Sequence, residues 1–165
     1  MRVIFLDVDG VLNNSKTRSR TPDGWLGVST NLINKLKRII SETGAVTVLS
    51  STWKHSSEKD LNYLYKKLGS AKPIDRTYDP GDRDSRRGAG IIDYINTHQV
   101  ENFVILDDYS FDFRQQNLLR HFVNTGEAKG LTDDNVTQAI QILKGALLPE
   151  DYYDKLNEEW GYHRI

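Results

Sequence analysis

Four consecutive apolar residues, Val3-Ile4-Phe5-Leu6, open the chain without a polar interruption. Such a run predicts a strand covered on both faces, as in the interior of a parallel sheet. The polar stretch from Asn13 to Val28, containing Pro22, Gly24 and Gly27, reads as loop. Leu32, Ile33, Leu36, Ile39 and Ile40 then recur at helical spacing, with Ser29 or Thr30 as the cap and Gly44 as the stop. Ala45 to Leu49 is β-branched and apolar and predicts a second strand. Leu61, Leu64, Tyr65 and Leu68 mark a second helix ending at Gly69, and Pro73 to Tyr78 can hold a short edge strand. Residues 79–90 read as loop, after which Ile91, Ile92 and Ile95 share one face of a third helix. Phe103 to Leu106 predicts another buried strand and His121 to Asn124 a last short one. Gly130-Leu131-Thr132 then leads into a helix carrying Val136, Ala139, Ile140 and Leu143. In the tail, Tyr152, Tyr153, Leu156 and Trp160 fall at roughly helical spacing, so residues 149–165 are expected to dock as a final amphipathic helix.

Strands alternating with helices of this length predict an α/β fold, a doubly wound three-layer Rossmann-like parallel sheet with right-handed crossovers. No internal repeat or linker divides the sequence, so residues 1–165 are expected to form one domain. A chain of this length buries about 70% of the surface that its unfolded form exposes, enough for a core without staples. The absence of cysteine excludes disulfides, thiolate metal ligands and a cysteine nucleophile. No apolar run approaches the roughly 20 residues of a membrane span, and the first residues enter a strand instead of a signal peptide. A soluble cytoplasmic protein with no membrane partner is the expectation, and a monomer is compatible with it. With 22 basic and 23 acidic residues, the net charge of -1 provides no global field to attract nucleic acid.

The chemistry lies where three strands end. Asp7 and Asp9 follow the first, Ser50 and Ser51 the second, and Asp107 and Asp108 the fourth. In open α/β sheets ligands bind outside the carboxyl ends of the strands, so these groups converge if the first strand lies between the other two. Two like charges about 4 Å apart repel by roughly 4 kcal/mol at an effective dielectric near 20, so paired acids there imply a cation, a shared proton or strong donors. Asp9-Gly10 alone would pass for a turn, but a turn leaves Asp7 unexplained. Acids without His or Cys make a hard oxygen site, for which Mg²⁺ is the natural occupant.

These residues resemble the haloacid dehalogenase superfamily of phosphohydrolases, through Asp7-Val8-Asp9-Gly10-Val11, Ser50, a basic residue before the fourth strand, and Asp107-Asp108. More narrowly, Asp7 to Asn13, Leu49 to Lys54, Arg87-Gly88 opening a helix, Ile105 to Asp108 and Gly130 to Thr132 look like the phosphatase domain linked with RNA repair systems. The resemblance implies a phosphomonoester hydrolase in which Asp7 is the nucleophile and Asp9 the general acid and base. It places Mg²⁺ on Asp7, Asp9 through its carbonyl, and Asp107 or Asp108. Ser50 would donate to a phosphoryl oxygen, and Arg87, in preference to Arg86, would offset the charge on the transferring group. Ser51 is the rival hydroxyl, since alternation along a strand lets only one of the two face the site. Asp112 either holds a metal-bound water or caps the helix after it. Trp53 is expected in the packing, Lys54 at a solvated helix start or on a second phosphate, and His55, His98, His121 and His163 in structural or exposed roles.

In this superfamily a cap domain enters after the first or second strand; residues 13–28 and the segment from about Lys54 to Asp84 leave room for neither. An uncapped site admits a phosphate carried on a large molecule, which makes an RNA or DNA end the expected substrate. Lys16, Arg18 and Arg20 alternate beside the first strand and would line its entrance if extended, with Arg83, Arg86 and Arg87 as a second basic group diluted by Asp79, Asp82 and Asp84. A nucleotidase or small-molecule phosphatase, and a silent phosphate- or protein-binding module, are the alternatives. A phospho-acceptor signalling domain is set aside, because its acceptor strand would here end in Ser50-Ser51.

Overall fold

In the computed structural model, which describes residues 1–78, 86–126 and 128–160, the chain runs β1 (Arg2–Leu6), α1 (Thr30–Thr43), β2 (Val46–Leu49), α2 (Glu58–Leu68), β3 (Asp75–Arg76), α3 (Arg87–Thr97), β4 (Asn102–Asp107), β5 (Phe122–Asn124), α4 (Asp133–Leu143) and α5 (Tyr152–Trp160). Asp79, Asp82, Arg83, Asp84 and His163, together with the side chain of Trp160, lie outside the described residues. All five strands are parallel in the order β3-β2-β1-β4-β5, so β1 does lie between β2 and β4. Val3 to Leu6 are wholly buried, which is why their run carries no polar residue. The order runs outward from β1 to β3, then jumps back across to β4. With right-handed crossovers this places α1 and α2 on one face and α3 on the other. Phe5 packs edge-on against Tyr94 of α3 at 5.6 Å, while α4 lies against α1. The sheet is therefore doubly wound, and the reversal between β1 and β4 opens a crevice at their carboxyl ends.

Local signals explain most boundaries. Gly44 ends α1 at φ 67°, donating to Ile40 O, and Thr132 opens α4 in a reciprocal capping box with Asn135. Two segments differ from expectation. The loop predicted over residues 79–90 runs too far, because α3 already begins at Arg87. The stretch from Asn13 to Val28 is ordered by an antiparallel pairing of Arg20 with Leu26, with Gly27 N donating to Ser19 O at 2.8 Å. This hairpin is pinned to α2, where Tyr63 Oη accepts from Val28 N and Asp60 Oδ1 from Asp23 N. A turn closed by Thr17 N on Asn14 O places Lys16 in a bend, while Arg20 is extended in the pairing with Leu26. At the other end of the chain, α5 packs through Tyr153, which stacks on Phe122 and donates its hydroxyl to Phe122 O. Among the described residues no helix is long and apolar enough to cross a membrane.

Candidate active site at the carboxyl edge of the sheet

The parallel register pairs Leu6 with Leu106 and Leu49, so the next residues out, Asp7, Asp107 and Ser50, emerge side by side. Asp7 N donates to Leu106 O at 3.0 Å and Ser50 N to Leu6 O at 2.9 Å, carrying the ladder up to the edge of the site. One carboxylate oxygen from each of Asp7, Asp107 and Asp108 lies within 4.8 Å of the others. Arg87, the first residue of α3, reaches into this group: Nη1 is 2.6 Å from Asp107 Oδ2 and 3.3 Å from Asp7 Oδ1. Its side chain is only 8% exposed, and the guanidinium lies 4.1 Å above the ring of Phe111. Phe111 itself sits at φ 42°, a backbone conformation rare for an aromatic residue and typical of functional strain.

Burial dominates the electrostatics. It raises the pKa of Asp7, against the pull of Arg87 and a hydrogen bond from Ser51. Asp107 is pushed well above the ordinary carboxylate range by burial and then by Asp7, although Arg87 opposes both. Burial also weighs on Arg87, but Asp107 and Asp7 outweigh it and raise its pKa. Asp7 and Asp107 thus share the Arg87 guanidinium, and Asp108 sets a third carboxylate beside them. A small hard cation with oxygen preference fits that donor set.

Asp9 takes a separate position. It is exposed, and its carboxylate accepts from Trp53 Nε1 at 2.9 Å and from Asn13 Nδ2 at 2.7 Å, outside the oxygen cluster of the other three acids. Gly10 makes the turn between the two kinds of acid at φ 72°, and a Cβ there would fall 2.3 Å from Asp108 Oδ2. Asn13 Oδ1 accepts from Gly10 N and Thr125 Oγ1 donates to Gly10 O, so the turn is held from both sides.

The two serines divide differently from the alternation rule. The chain leaves β2 after Leu49 and turns into a short 3₁₀ helix at Thr52–His55. Ser51 hydrogen-bonds Asp7 and accepts from Trp53 N, while the Ser50 hydroxyl is 1% exposed and has no partner among the described residues. A buried hydroxyl without a partner is costly unless something else accepts from it. Lys54 is half-buried and donates to Thr77 O and Oγ1, both at 3.0 Å, tying the 3₁₀ turn to the end of β3. Arg18 donates to the carbonyls of Ser15 and Thr17 in its own loop; Arg20 and Arg86 are exposed. Asp112 caps α3, the helix before it in sequence, accepting from Gly88 N at 2.6 Å and Ala89 N at 3.1 Å. That cap fixes the helix end from which Arg87 projects.

Asn13 and Phe111 escape sequence reasoning, and Trp53 reads there as packing in preference to a ligand platform. Asn13, four residues after Asp9 in a Gly turn, had a usable signal, since Asn side chains commonly bond nearby backbone in such turns. Phe111 and the Trp53 indole had none, because their partners are set by tertiary packing.

A family model described as the HAD domain in Swiss Army Knife RNA repair proteins matches residues 3–136. Neither the curated proteins nor the solved structures compared with the chain include a significant match.

Proposed function

As the chain belongs to the family of HAD domains in Swiss Army Knife RNA repair proteins, a family of phosphatase type, we propose that it is a Mg²⁺-dependent phosphomonoesterase that works through an aspartyl phosphate and removes phosphate from an RNA or DNA end. The observation that carries this reading is the cluster of Asp7, Asp107 and Asp108 at the switch point of the sheet, with Arg87 paired to the buried Asp7 and Asp107. Asp7, Asp107 and Asp108 would hold Mg²⁺, with the Asp9 carbonyl as a further ligand. When bound, the ion neutralises the acids and the phosphate oxygens so that two anions can meet.

The chain's own groups supply the remainder. An Asp7 oxygen attacks phosphorus as the ester P–O bond breaks, and the departing alkoxide takes the proton of Asp9. Asp9 then removes a proton from water, whose oxygen attacks the acyl phosphate and frees both Asp7 and inorganic phosphate. Asp9 suits both steps because its carboxyl faces solvent, held by Trp53 and Asn13, while Asp7 is enclosed. Ser50 brings an unspent hydroxyl for a phosphoryl oxygen, and Arg87 a charge for the equatorial oxygens.

The test is phosphate release from 3′- and 5′-phosphorylated oligonucleotides and from free nucleotides, with Mg²⁺ or a chelator, by the wild type and by Asp7→Asn. Release from oligonucleotide ends that needs Mg²⁺ and Asp7 is expected. Release from free nucleotides alone would favour a nucleotidase, and turnover by Asp7→Asn would refute the mechanism.

A further inference from the structure

A cavity of about 370 Å³ opens on the solvent side of Asp9, lined by Trp25, Leu26, Thr52, Trp53 and Asp60 together with Asp9 itself. Trp25 is 72% exposed at its rim, the most exposed large apolar side chain among the described residues. Its backbone is nonetheless fixed: Trp25 N donates to Thr21 Oγ1, Thr21 N to Trp25 O, and Gly24 N to Thr21 O, at the tip of the hairpin that is pinned to α2. An indole open to water on a fixed backbone contributes little to folding, whereas it offers a planar face to a ligand.

We infer that this cavity receives the nucleobase of the terminal nucleotide whose phosphate is removed, stacked on Trp25, so that the protein acts on unpaired ends. The inference rests on the function proposed above, in which Asp9 protonates the leaving oxygen. The leaving group must then lie beside Asp9, and the space there is this cavity. Its chemistry selects the base over the phosphate. Asp9 and Asp60 put two carboxylates in the lining, and none of the described lining residues is Lys or Arg, so a second phosphate is repelled while a neutral ring with amino donors is accepted. The volume is near the small end of the range for small-molecule sites, about 300–1,000 Å³, and so suits one nucleoside and not a folded partner. Arg20 pairs with Leu26 across the hairpin, and opposed residues of an antiparallel pair share a face, which puts a cation beside the cavity for the next phosphate along the strand. Stacking tolerates every base, so recognition is of an unpaired terminus and not of a sequence.

The experiment uses the full chain and two readouts. In the first, tryptophan fluorescence is titrated with a single-stranded phosphorylated oligonucleotide; Trp25→Ala should weaken binding by about tenfold, within the range of base-to-aromatic stacking, and Trp25→Phe should restore most of it. In the second, kcat/KM is compared for ends carrying a terminal base and ends with an abasic terminal sugar; the wild type should prefer the base by about tenfold and Trp25→Ala should lose that preference. Hydrolysis with equal preference in both proteins would overturn the inference and leave the phosphatase reading standing. Trp25-dependent binding without any hydrolysis would do the reverse. Equal affinity for a blunt duplex, or for a phosphoserine peptide, would also overturn it.

Discussion

Removing the charge of the proposed nucleophile should make the metal-free protein more stable. Asp7, Asp107 and Asp108 offer carboxylate oxygens within 4.8 Å of one another, and at an effective dielectric near 20 each such pair repels by about 3.5 kcal/mol. Against this, Asp7 gains about 5 kcal/mol from the Arg87 nitrogen 3.3 Å away. Two repulsions therefore outweigh one attraction, and Asp7→Asn, which keeps the shape of the side chain and an acceptor for Ser51, should gain about 2 kcal/mol in the presence of chelator. For a chain of this size that corresponds to a rise in Tm of roughly 4–8 °C. Magnesium should reverse the order. At a hundred times its Kd a ligand of the native state adds about 2.7 kcal/mol, and the wild type should gain this in full while the variant, having lost one ligand, gains less. Thermal unfolding of both proteins with chelator and across a Mg²⁺ series measures both halves. A variant less stable than wild type in chelator, or equal Mg²⁺ shifts in the two proteins, would refute the charge argument.

Three further outcomes follow from named contacts. Ser50→Ala removes a hydroxyl that has no partner among the described residues, so urea unfolding should change by no more than about 0.5 kcal/mol while kcat falls by about a hundredfold; a large stability loss with normal kcat would contradict the assignment. Asp112→Ala leaves Gly88 N and Ala89 N uncapped and should cost about 1–2 kcal/mol in urea unfolding, with none of that loss seen if the cap were unimportant. His121 stacks on Phe103 and bonds Phe103 O, and burial, aided by Arg120, lowers its pKa from 6.5. Below that value the unfolded chain binds a proton the folded chain refuses, so stability should fall as pH drops through 6.5, and His121→Gln should flatten the decline that sets in there; an unchanged slope would exclude His121 as its source.

What could be read without coordinates was what neighbours in sequence decide. The buried run of β1, the Gly44 stop and the Thr132 entry to α4 each depend on a few consecutive residues, and the acids at strand ends follow once the strands are placed. The strand order needed a further step, because β1 between β2 and β4 is a property of crossovers and not of any one segment. Contacts across the fold were beyond reach. Trp53 meets Asp9, 44 positions earlier in the chain, only because a 3₁₀ turn follows β2, and the same turn breaks the alternation that was to separate Ser50 from Ser51. The course of the basic loop is likewise set by contacts that charge does not reveal: Asn14 accepts from Lys16 N and Thr17 N, which turns the chain at Lys16.

Asn13 spends one amide group on two neighbours, Asp9 Oδ1 and Gly27 O, and its oxygen on Gly10 N. Those three bonds couple the root of the hairpin, the glycine turn and Asp9, the proposed acid and base, as a single lever. Any tilt of the hairpin is delivered to Asp9, and any drift of Asp9 to the hairpin, so residues remote from the phosphorus can retune the reaction without touching it.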